Sequence, residues 1–171
     1  PNKSSFLFPL KIEIKDDAYN ENNITKPSIR ITNLSPDAPL TNFKISLWFS
    51  REEVPGQEIL ADKYYTEPDD VQLQLNYCPE NNLIRRVDLT FPPNYSLLPG
   101  ATTSDPGIQL GVHFNNYYPG QWVKGNDWSC SNLTSGWKET QKITVYDRTG
   151  KFIYGCEPDV PFQNNPVPSM L

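Results

Sequence analysis

Apolar and polar residues alternate with a period of two along several stretches of the chain. The alternation is clean in LKIEI (residues 10–14), SIRIT (28–32) and VQLQL (71–75). Successive side chains of a β-strand point to opposite faces of its sheet, so this period is typical of strands that bury one face. We therefore predict a strand at each of these three segments.

Longer apolar runs predict the remaining strands. They are rich in aromatic and β-branched residues, and they cover residues 43–49, 84–91, 108–114, 142–146 and 151–154. DRTG, residues 147–150, predicts a hairpin turn, whereas residues 51–68 are interpreted as a charged connection. The 17 prolines of the chain exclude a helical bundle. The pattern predicts an all-β fold, an antiparallel β-sandwich of about nine strands.

Length and charge narrow the classes of partner. The 171 residues are enough for one domain with a sizeable core. The net charge of −5 at pH 7 argues against nucleic acid and anionic membranes as partners. No apolar run approaches the length of a membrane span.

Composition near the two ends predicts the domain organisation. We expect residues 1–9 to form an N-terminal tail, residues 10–158 a folded module, and the Pro-rich residues 159–171 a linker or tail. The chain begins at Pro1, and Asn-X-Ser/Thr sequons begin at Asn2, Asn23, Asn33, Asn94 and Asn132. These features favour an extracellular module, secreted or at the cell surface, that is part of a larger protein.

Aromatic residues are concentrated in the loops that follow residue 114. Trp128 and Trp137 lie in NDWSCSNLTSGW, and Tyr117, Tyr118 and Trp122 lie just before it in NNYYPGQWVKG. A single loop tryptophan is more often a core residue, but a loop cannot easily bury so many rings because its backbone polar groups need water. We therefore predict an exposed aromatic surface, and such surfaces usually bind something.

No pattern of residues indicates catalysis. A glycoside hydrolase needs two carboxylates that face each other across the scissile bond, whereas Glu52 with Glu53 and Asp69 with Asp70 are adjacent pairs in charged loops. His113 is the only histidine, so a His-based triad cannot form elsewhere. We predict that the chain is not an enzyme.

Three cysteines, Cys78, Cys130 and Cys156, leave the thiol chemistry open. The sequence has no CxxC pair and no His/Cys cluster, which argues against zinc. Three thiols, or one disulfide with one free thiol, are both possible. If a disulfide forms, we expect Cys78 to pair with Cys156, because both lie at predicted strand ends and Cys130 lies in the aromatic loop.

A series of segments resembles a known family in order and spacing. The segments are LKIEI, PSIRITNLS, LTNFKISLWFS, RRVDLTF, LLPG, GNDWS and ITVYDRTGKFIYGCEP. Over residues 10–158 they resemble the family 3 carbohydrate-binding modules, the cellulose-binding type attached to cellulases and cellulosomal scaffoldins. The resemblance implies a nine-stranded jelly-roll sandwich, with a flat face on which a linear strip of aromatic and polar residues lies along a cellulose chain.

The resemblance implies which residues form this strip. Trp128 of NDWS matches the strip tryptophan, and Asp62 matches the strip carboxylate. Lys63 or Tyr64 matches the ring next to that carboxylate. His113 stands where surface-binding members carry an arginine, so it is a candidate strip contact, although a packed or hydrogen-bonded histidine is as plausible there.

Two further parts of the binding face follow from the same resemblance. Asn23, in the early polar loop, matches a residue that anchors the polysaccharide. Residues 115–124 look like an insertion relative to typical members. The insertion adds Tyr117, Tyr118 and Trp122 beside the strip tryptophan.

The family also holds a structural calcium ion, and the resemblance implies where its ligands would be. The matching positions are Ser50 and Glu52 after the third strand, and Asn132 and Ser135 after NDWS. Calcium prefers six to eight oxygen ligands, several of them charged. Gly136 stands where the family has a carboxylate, so structural calcium is possible but we expect that folding does not require it.

These observations predict a non-catalytic module that adsorbs to crystalline cellulose or a related insoluble β-glucan through a planar aromatic strip. Flat rings cover the apolar faces of pyranose units, and polar side chains meet their hydroxyl groups. Two alternatives stay open. One is a structural spacer or interaction module that packs on a catalytic or sensor domain, and the other is a chitin-binding module.

Overall fold

Fourteen strands form in the computed structural model, which describes residues 4–52, 54–77, 82–104, 107–117 and 122–158. They are β1 (Ser4–Phe6), β2 (Leu10–Asp16), β3 (Ile24–Thr25), β4 (Pro27–Asn33), β5 (Leu40–Thr41), β6 (Phe43–Ser50), β7 (Ile59–Thr66), β8 (Gln72–Tyr77), β9 (Ile84–Thr90), β10 (Ser96–Leu97), β11 (Ile108–Phe114), β12 (Lys138–Glu139), β13 (Thr144–Asp147) and β14 (Phe152–Cys156). Five of them have only two or three residues, which leaves nine longer strands in the described residues. The predicted count of about nine is therefore confirmed.

Two antiparallel sheets make up the sandwich. Sheet A has the strand order β1-β14-β13-β6-β9-β8, and sheet B has the order β12-β2-β4-β11-β3, with β7 also paired to β11. A small third sheet joins β5 to β10. The part of the chain that the structure describes contains no helix, and hence none that could cross a bilayer. The predicted all-β, antiparallel sandwich is confirmed.

The alternating pattern places the core between the two sheets. In β2, Ile12 and Ile14 are fully buried, whereas the intervening Glu13 is half-buried and faces outward. Leu47 on β6 and Leu110 on β11 are also fully buried in the same core. In β2, β4 and β11 every second residue packs into the core, so the side chains between them lie on the outer face of sheet B.

Two segments that were not predicted as strands pair in sheets. Residues 59–66 of the predicted charged connection form β7, which pairs with β11 over its whole length. The sequence of this strand does not alternate between apolar and polar residues, because it is an edge strand and most of it is exposed. Residues 4–6 of the predicted tail form β1, which pairs with β14. The predicted linker, residues 159–171, lies outside the described residues.

The predicted hairpin and the predicted disulfide have different outcomes. β13 and β14 pair across residues 147–150, and Gly150 has a φ of 83°, so the hairpin prediction is confirmed. Cys156 is a half-buried free thiol, and Cys78, its expected partner if a disulfide forms, lies outside the described residues, so the conditional pairing stays a prediction. Cys130 is also a free thiol, and burial raises its pKa well above the ordinary value.

Candidate functional site

Four predicted site residues come together where β7 pairs with β11. Asp62 and Tyr64 lie on β7, His113 lies on β11, and Tyr117 lies in the loop that follows β11. Tyr64 and Tyr117 are 43% and 41% exposed. We call these four residues the tyrosine cluster. The register explains their meeting, because Asp62 pairs with Gly111 and His113 lies two residues further along β11.

His113 is the buried centre of the tyrosine cluster. Its Nε2 atom lies 2.6 Å from Oδ2 of Asp62, and its Nδ1 atom lies 2.6 Å from the carbonyl oxygen of Phe114. The carbonyl oxygen of Phe114 can only accept, so Nδ1 is the donor in that hydrogen bond. The ring of Tyr117 stacks on the imidazole at 3.8 Å between centroids and 13° between planes. His113 is only 3% exposed, so it supports the surface and does not form it.

Tyr64 lies low on the sheet beside this centre. The register shifts between Gln109 and Leu110, which leaves Tyr64 as the extra residue of a β-bulge. The phenol end of its ring passes directly over Gly111. Burial of this end, together with a hydrogen bond to Tyr117, raises the pKa of Tyr64 to about 12. Tyr64 is therefore a neutral hydrogen-bonding phenol at physiological pH.

A second aromatic position lies at the other end of the same face. Trp137 immediately precedes β12, and its ring is partly buried. The Arg30 guanidinium lies 4.3 Å from the ring centroid and the Lys15 ammonium lies 4.8 Å from it. Arg30 also donates two hydrogen bonds to Glu13, at 2.8 Å and 3.1 Å. These cation–π contacts hold the indole against the outer side chains of β2 and β4.

Polar side chains fill the space between Trp137 and the tyrosine cluster. Ser28 on β4 donates a hydrogen bond to Asp17, and Gln109 Nε2 donates one to the same Asp17 oxygen at 2.7 Å. Burial of Asp17 acts to raise its pKa, but these hydrogen bonds and the charge of Lys15 lower the pKa overall. A hydrogen bond from Arg30 similarly lowers the pKa of Glu13. Both carboxylates are therefore ionised and already paired.

Together these residues form one continuous surface, which we call the platform. It extends from Trp137 to the tyrosine cluster across the strands β12, β2, β4, β11 and β7. Four strand spacings of about 4.8 Å give it a width of about 20 Å. Rings lie at both ends, and hydrogen-bonding groups lie between them.

Trp122 is a core residue, which corrects its predicted place among the exposed rings. It is only 6% exposed, and its indole nitrogen donates a 2.9 Å hydrogen bond to Oγ1 of Thr25. Its ring meets Phe114 edge to face at 5.2 Å between centroids. This residue of the predicted insertion therefore adds its ring to the core. Tyr118, predicted beside it, lies outside the described residues.

Trp128 lies apart from the tyrosine cluster, which corrects the predicted row. Its indole nitrogen donates a 2.9 Å hydrogen bond to the carbonyl oxygen of Cys156, and the Lys142 ammonium lies 4.5 Å from its ring centroid. The partly buried ring lines a groove of about 540 Å³ together with residues of β12. The strands β2, β4 and β11 separate this groove from β7.

Lys63 and Asn23 complete the predicted set. The Lys63 ammonium donates hydrogen bonds to the carbonyl oxygens of Asp69 and Val71, at 2.7 Å and 3.0 Å, so it is tied to the loop after β7. Asn23 immediately precedes β3, whose Ile24 pairs with His113, so it lies at the same end of sheet B as the tyrosine cluster.

The predicted strip omits three members of the platform, namely Arg30, Gln109 and Trp137, although Trp137 is among the aromatic residues of the loops after residue 114. Arg30 and Gln109 occupy outward positions of predicted strands, so the alternation already placed them on one surface. Trp137 precedes the two-residue strand β12, which is too short to show a period. No signal in its neighbourhood connects it to β2 and β4.

The predicted calcium ligands divide between two places. Ser50 Oγ donates a 2.7 Å hydrogen bond to the carbonyl oxygen of Asn126, and Glu52 lies 3.5 Å from the Asn126 amide nitrogen. Asn132, by contrast, lines the groove beside Trp128, and Ser135 is exposed. The four predicted ligands therefore do not form one site.

Asp127 instead joins Ser50 and Glu52. Its Oδ1 atom accepts a 2.9 Å hydrogen bond from the Ser50 backbone, and its Oδ2 atom and Glu52 Oε1 are buried with no hydrogen-bond partner among the described residues. Burial raises the pKa of Asp127 well above its usual value; the Ser50 amide opposes this rise and the Glu52 charge adds to it. The described residues hold no cluster of three His, Cys, Asp or Glu side chains. The two carboxylate oxygens without partners, together with Ser50 Oγ and the Asn126 carbonyl, are of the oxygen type that calcium prefers.

Solved structures share this fold. A family 3b carbohydrate-binding module from the biomass sensoring system of Clostridium clariflavum has a TM-score of 0.70 and 18% identity, covering 91% of this chain and 100% of that chain. CBM3b of the major scaffoldin subunit ScaA from Acetivibrio cellulolyticus has a TM-score of 0.67 and 16% identity, covering 87% and 97%. CBM3b of the cellulosomal cellobiohydrolase 9A from Clostridium thermocellum has a TM-score of 0.62 and 18% identity, covering 85% and 95%. These likenesses confirm the predicted jelly-roll sandwich.

Sequence comparison gives the family. No curated protein matches the sequence. The family model described as cellulose binding domain matches residues 11–155, which is most of the 171-residue chain. The predicted resemblance is thereby confirmed, at identities that mark a divergent member. The chain belongs to the CBM_3 family of cellulose binding domains, a family of non-catalytic carbohydrate-binding modules.

Proposed function

We propose that this module adsorbs to cellulose or a related insoluble β-glucan through the platform. One observation carries the proposal: Tyr64, Tyr117 and Trp137 lie on a single outer face of sheet B, with hydrogen-bonding side chains between them. Membership of the family supports a polysaccharide as the ligand. The same membership supports a place outside the cell, in a larger secreted protein.

The chemistry of the platform suits a sugar polymer. A pyranose ring has apolar C–H faces, which aromatic rings cover at little polar cost. Its hydroxyl groups need hydrogen-bonding partners, and Gln109 and Asp62 present acceptor oxygens while the Tyr64 phenol is both a donor and an acceptor. Rigid rings also lose little side-chain entropy on binding. A broad sheet face matches a solid surface that presents parallel chains.

Alanine substitution at either end of the platform tests the proposal. A ring at an interface centre contributes on the order of 2 kcal/mol, so Tyr64→Ala and Trp137→Ala should each weaken adsorption about tenfold or more. Adsorption isotherms on microcrystalline cellulose measure the effect. Tyr77→Ala is the matched control, because Tyr77 is a 59% exposed tyrosine on β8 of the opposite sheet, and it should adsorb like the unmodified protein.

Other outcomes identify the alternatives. Trp128→Ala should adsorb normally, since Trp128 lies in the side groove; a loss there, with Tyr64→Ala unaffected, would move the site to that groove. Binding to chitin in preference to cellulose would change the polysaccharide but keep the platform. A folded protein that adsorbs to neither solid would support the structural spacer.

The purified chain should release no reducing sugar from amorphous cellulose. A glycosidase needs a general acid with a raised pKa opposite a second carboxylate. On the platform, Glu13 and Asp17 have lowered pKa values and are held by Arg30, Ser28 and Gln109. A reducing-sugar assay against a heat-inactivated sample measures this, and sugar release above that control would contradict the prediction.

A further inference from the structure

Gly111 lies in the middle of β11, and its backbone conformation does not require a glycine. Glycine weakens a strand interior, so a glycine there often marks a close approach by another group. Gly107 and Gly155 have positive φ values of 74° and 99°, which favour glycine for backbone reasons. Gly111 is not among the residues with positive φ. The reason for a glycine at this position must therefore lie in what approaches it.

The group that approaches Gly111 is the ring of Tyr64. A Cβ atom on Gly111 would lie 2.6 Å from both Cζ and Oη of Tyr64 and 2.9 Å from its Cε2. Such distances are far below van der Waals contact, so the ring occupies the space that any other side chain would take. The phenol end therefore rests directly on the backbone of β11.

The bulge on β7 delivers the ring to this position. Lys63 pairs with Leu110 and Tyr65 pairs with Gln109, so Tyr64 is inserted between them without a partner of its own. A bulge re-aims the inserted side chain. Here the side chain extends sideways over the neighbouring strand, and the Lys26 ammonium lies 5.1 Å from the ring centroid.

We propose that Gly111 is a positioning residue of the platform, an inference that rests on the proposed polysaccharide function. Because Gly111 has no side chain, Tyr64 can lie low across β11, level with the other rings. A solid polysaccharide surface contacts several rings at once only when they reach the same height. A side chain at position 111 would occupy the space of the phenol end and lift Tyr64 away from the backbone of β11. The outward positions 111 and 113 of β11 thus act as a floor for the two tyrosine rings.

A double-mutant cycle tests this role. Gly111→Ala should weaken adsorption to microcrystalline cellulose several-fold, up to the loss caused by Tyr64→Ala. In the Tyr64→Ala protein, adding Gly111→Ala should cause almost no further loss, because the ring that it displaces is gone. The displaced atoms are the far end of an exposed side chain, so the Tm should hardly change. Gly125→Ala is the control, since no atom lies within 4 Å of its added Cβ.

The outcomes separate this inference from the proposed function. If Gly111→Ala adsorbs normally while Tyr64→Ala does not, the platform stands and the role of Gly111 is wrong. If Tyr64→Ala itself adsorbs normally, the platform is wrong. If Gly111→Ala weakens adsorption equally in the unmodified protein and in the Tyr64→Ala protein, the effect of Gly111→Ala does not depend on the ring of Tyr64, and the inference is wrong. If Gly111→Ala fails to fold, the double variant must fold, because its clash is removed; failure of both also overturns the inference.

Discussion

Trp122→Ala is expected to unfold the module far more readily, while the folded protein keeps its adsorption to cellulose. The substitution removes a 6% exposed indole, its hydrogen bond to Thr25 and its edge contact with Phe114. Removing a buried tryptophan costs about 3–5 kcal/mol of unfolding free energy. For a domain of this size that lowers the Tm by on the order of 10 °C. Thermal unfolding followed by circular dichroism measures it.

The comparison that decides the role of Trp122 is with Trp137→Ala. Trp137 is only partly buried and lies on the platform, so its removal should weaken adsorption with a small change in Tm. Trp122→Phe should be intermediate in stability, because it keeps a ring but loses the hydrogen bond to Thr25 Oγ1. A Trp122→Ala protein with an unchanged Tm and tenfold weaker adsorption would restore Trp122 to the binding face, as the sequence alone predicts.

The strands and the outward positions of sheet B follow from local pattern. The alternation in residues 10–14 and 28–32 puts Glu13 and Arg30 on the outer face, and the pairing of β2 with β4 sets them opposite each other. A register of this kind is fixed because a shift by one residue would bury charges and expose isoleucines. These outward positions of the platform were therefore predictable, even though their function was not.

The positions of the rings do not follow from local pattern. Trp122 and Tyr117 lie in the same loop, with similar polar neighbours, yet one is buried and the other is 41% exposed. The difference depends on tertiary partners, since Thr25 is 97 residues from Trp122 in the sequence. Similarly, β7 lacks an alternating pattern because it is a bulged, exposed edge strand, so only its pairing with β11 shows that it is a strand. Asp62, Tyr64 and His113, which the resemblance assigns to one strip, lie close together, whereas Trp128 lies in the separate groove.

Protonation of the buried carboxyl groups of Glu52 and Asp127 is expected to make the stability of the module depend strongly on pH. In the presence of a chelator, the raised folded-state pKa of Asp127 means that the folded protein holds a proton more tightly than the unfolded chain does. Burial likewise raises the pKa of Glu52, against a hydrogen bond from Asn126. The stability contributed by these protons is fully present below the unfolded pKa values and is lost as pH rises through the folded ones. We therefore expect the Tm in chelator to fall as pH rises above the unfolded pKa values of these two carboxyl groups, which are about 4.

Calcium should replace these protons and remove that fall. A ligand that binds only the folded state at 100 times its Kd stabilises it by about 2.7 kcal/mol, which is roughly 5–10 °C in Tm for this domain. The module should still be folded in chelator, because its core does not depend on the ion. Thermal unfolding at pH 8, with calcium or with chelator, measures the difference.

Asp127→Asn separates the ion from the proton. The asparagine keeps an oxygen for the Ser50 amide but loses the charge, so it should abolish the calcium response and flatten the pH dependence in chelator. Asp70→Asn, at an exposed loop carboxylate, should keep both responses. If calcium leaves the Tm of the unmodified protein unchanged at pH 8, the pair binds protons only. If calcium still stabilises Asp127→Asn, the ion is bound elsewhere. Asp127 would then not replace the carboxylate that the family has at the position of Gly136.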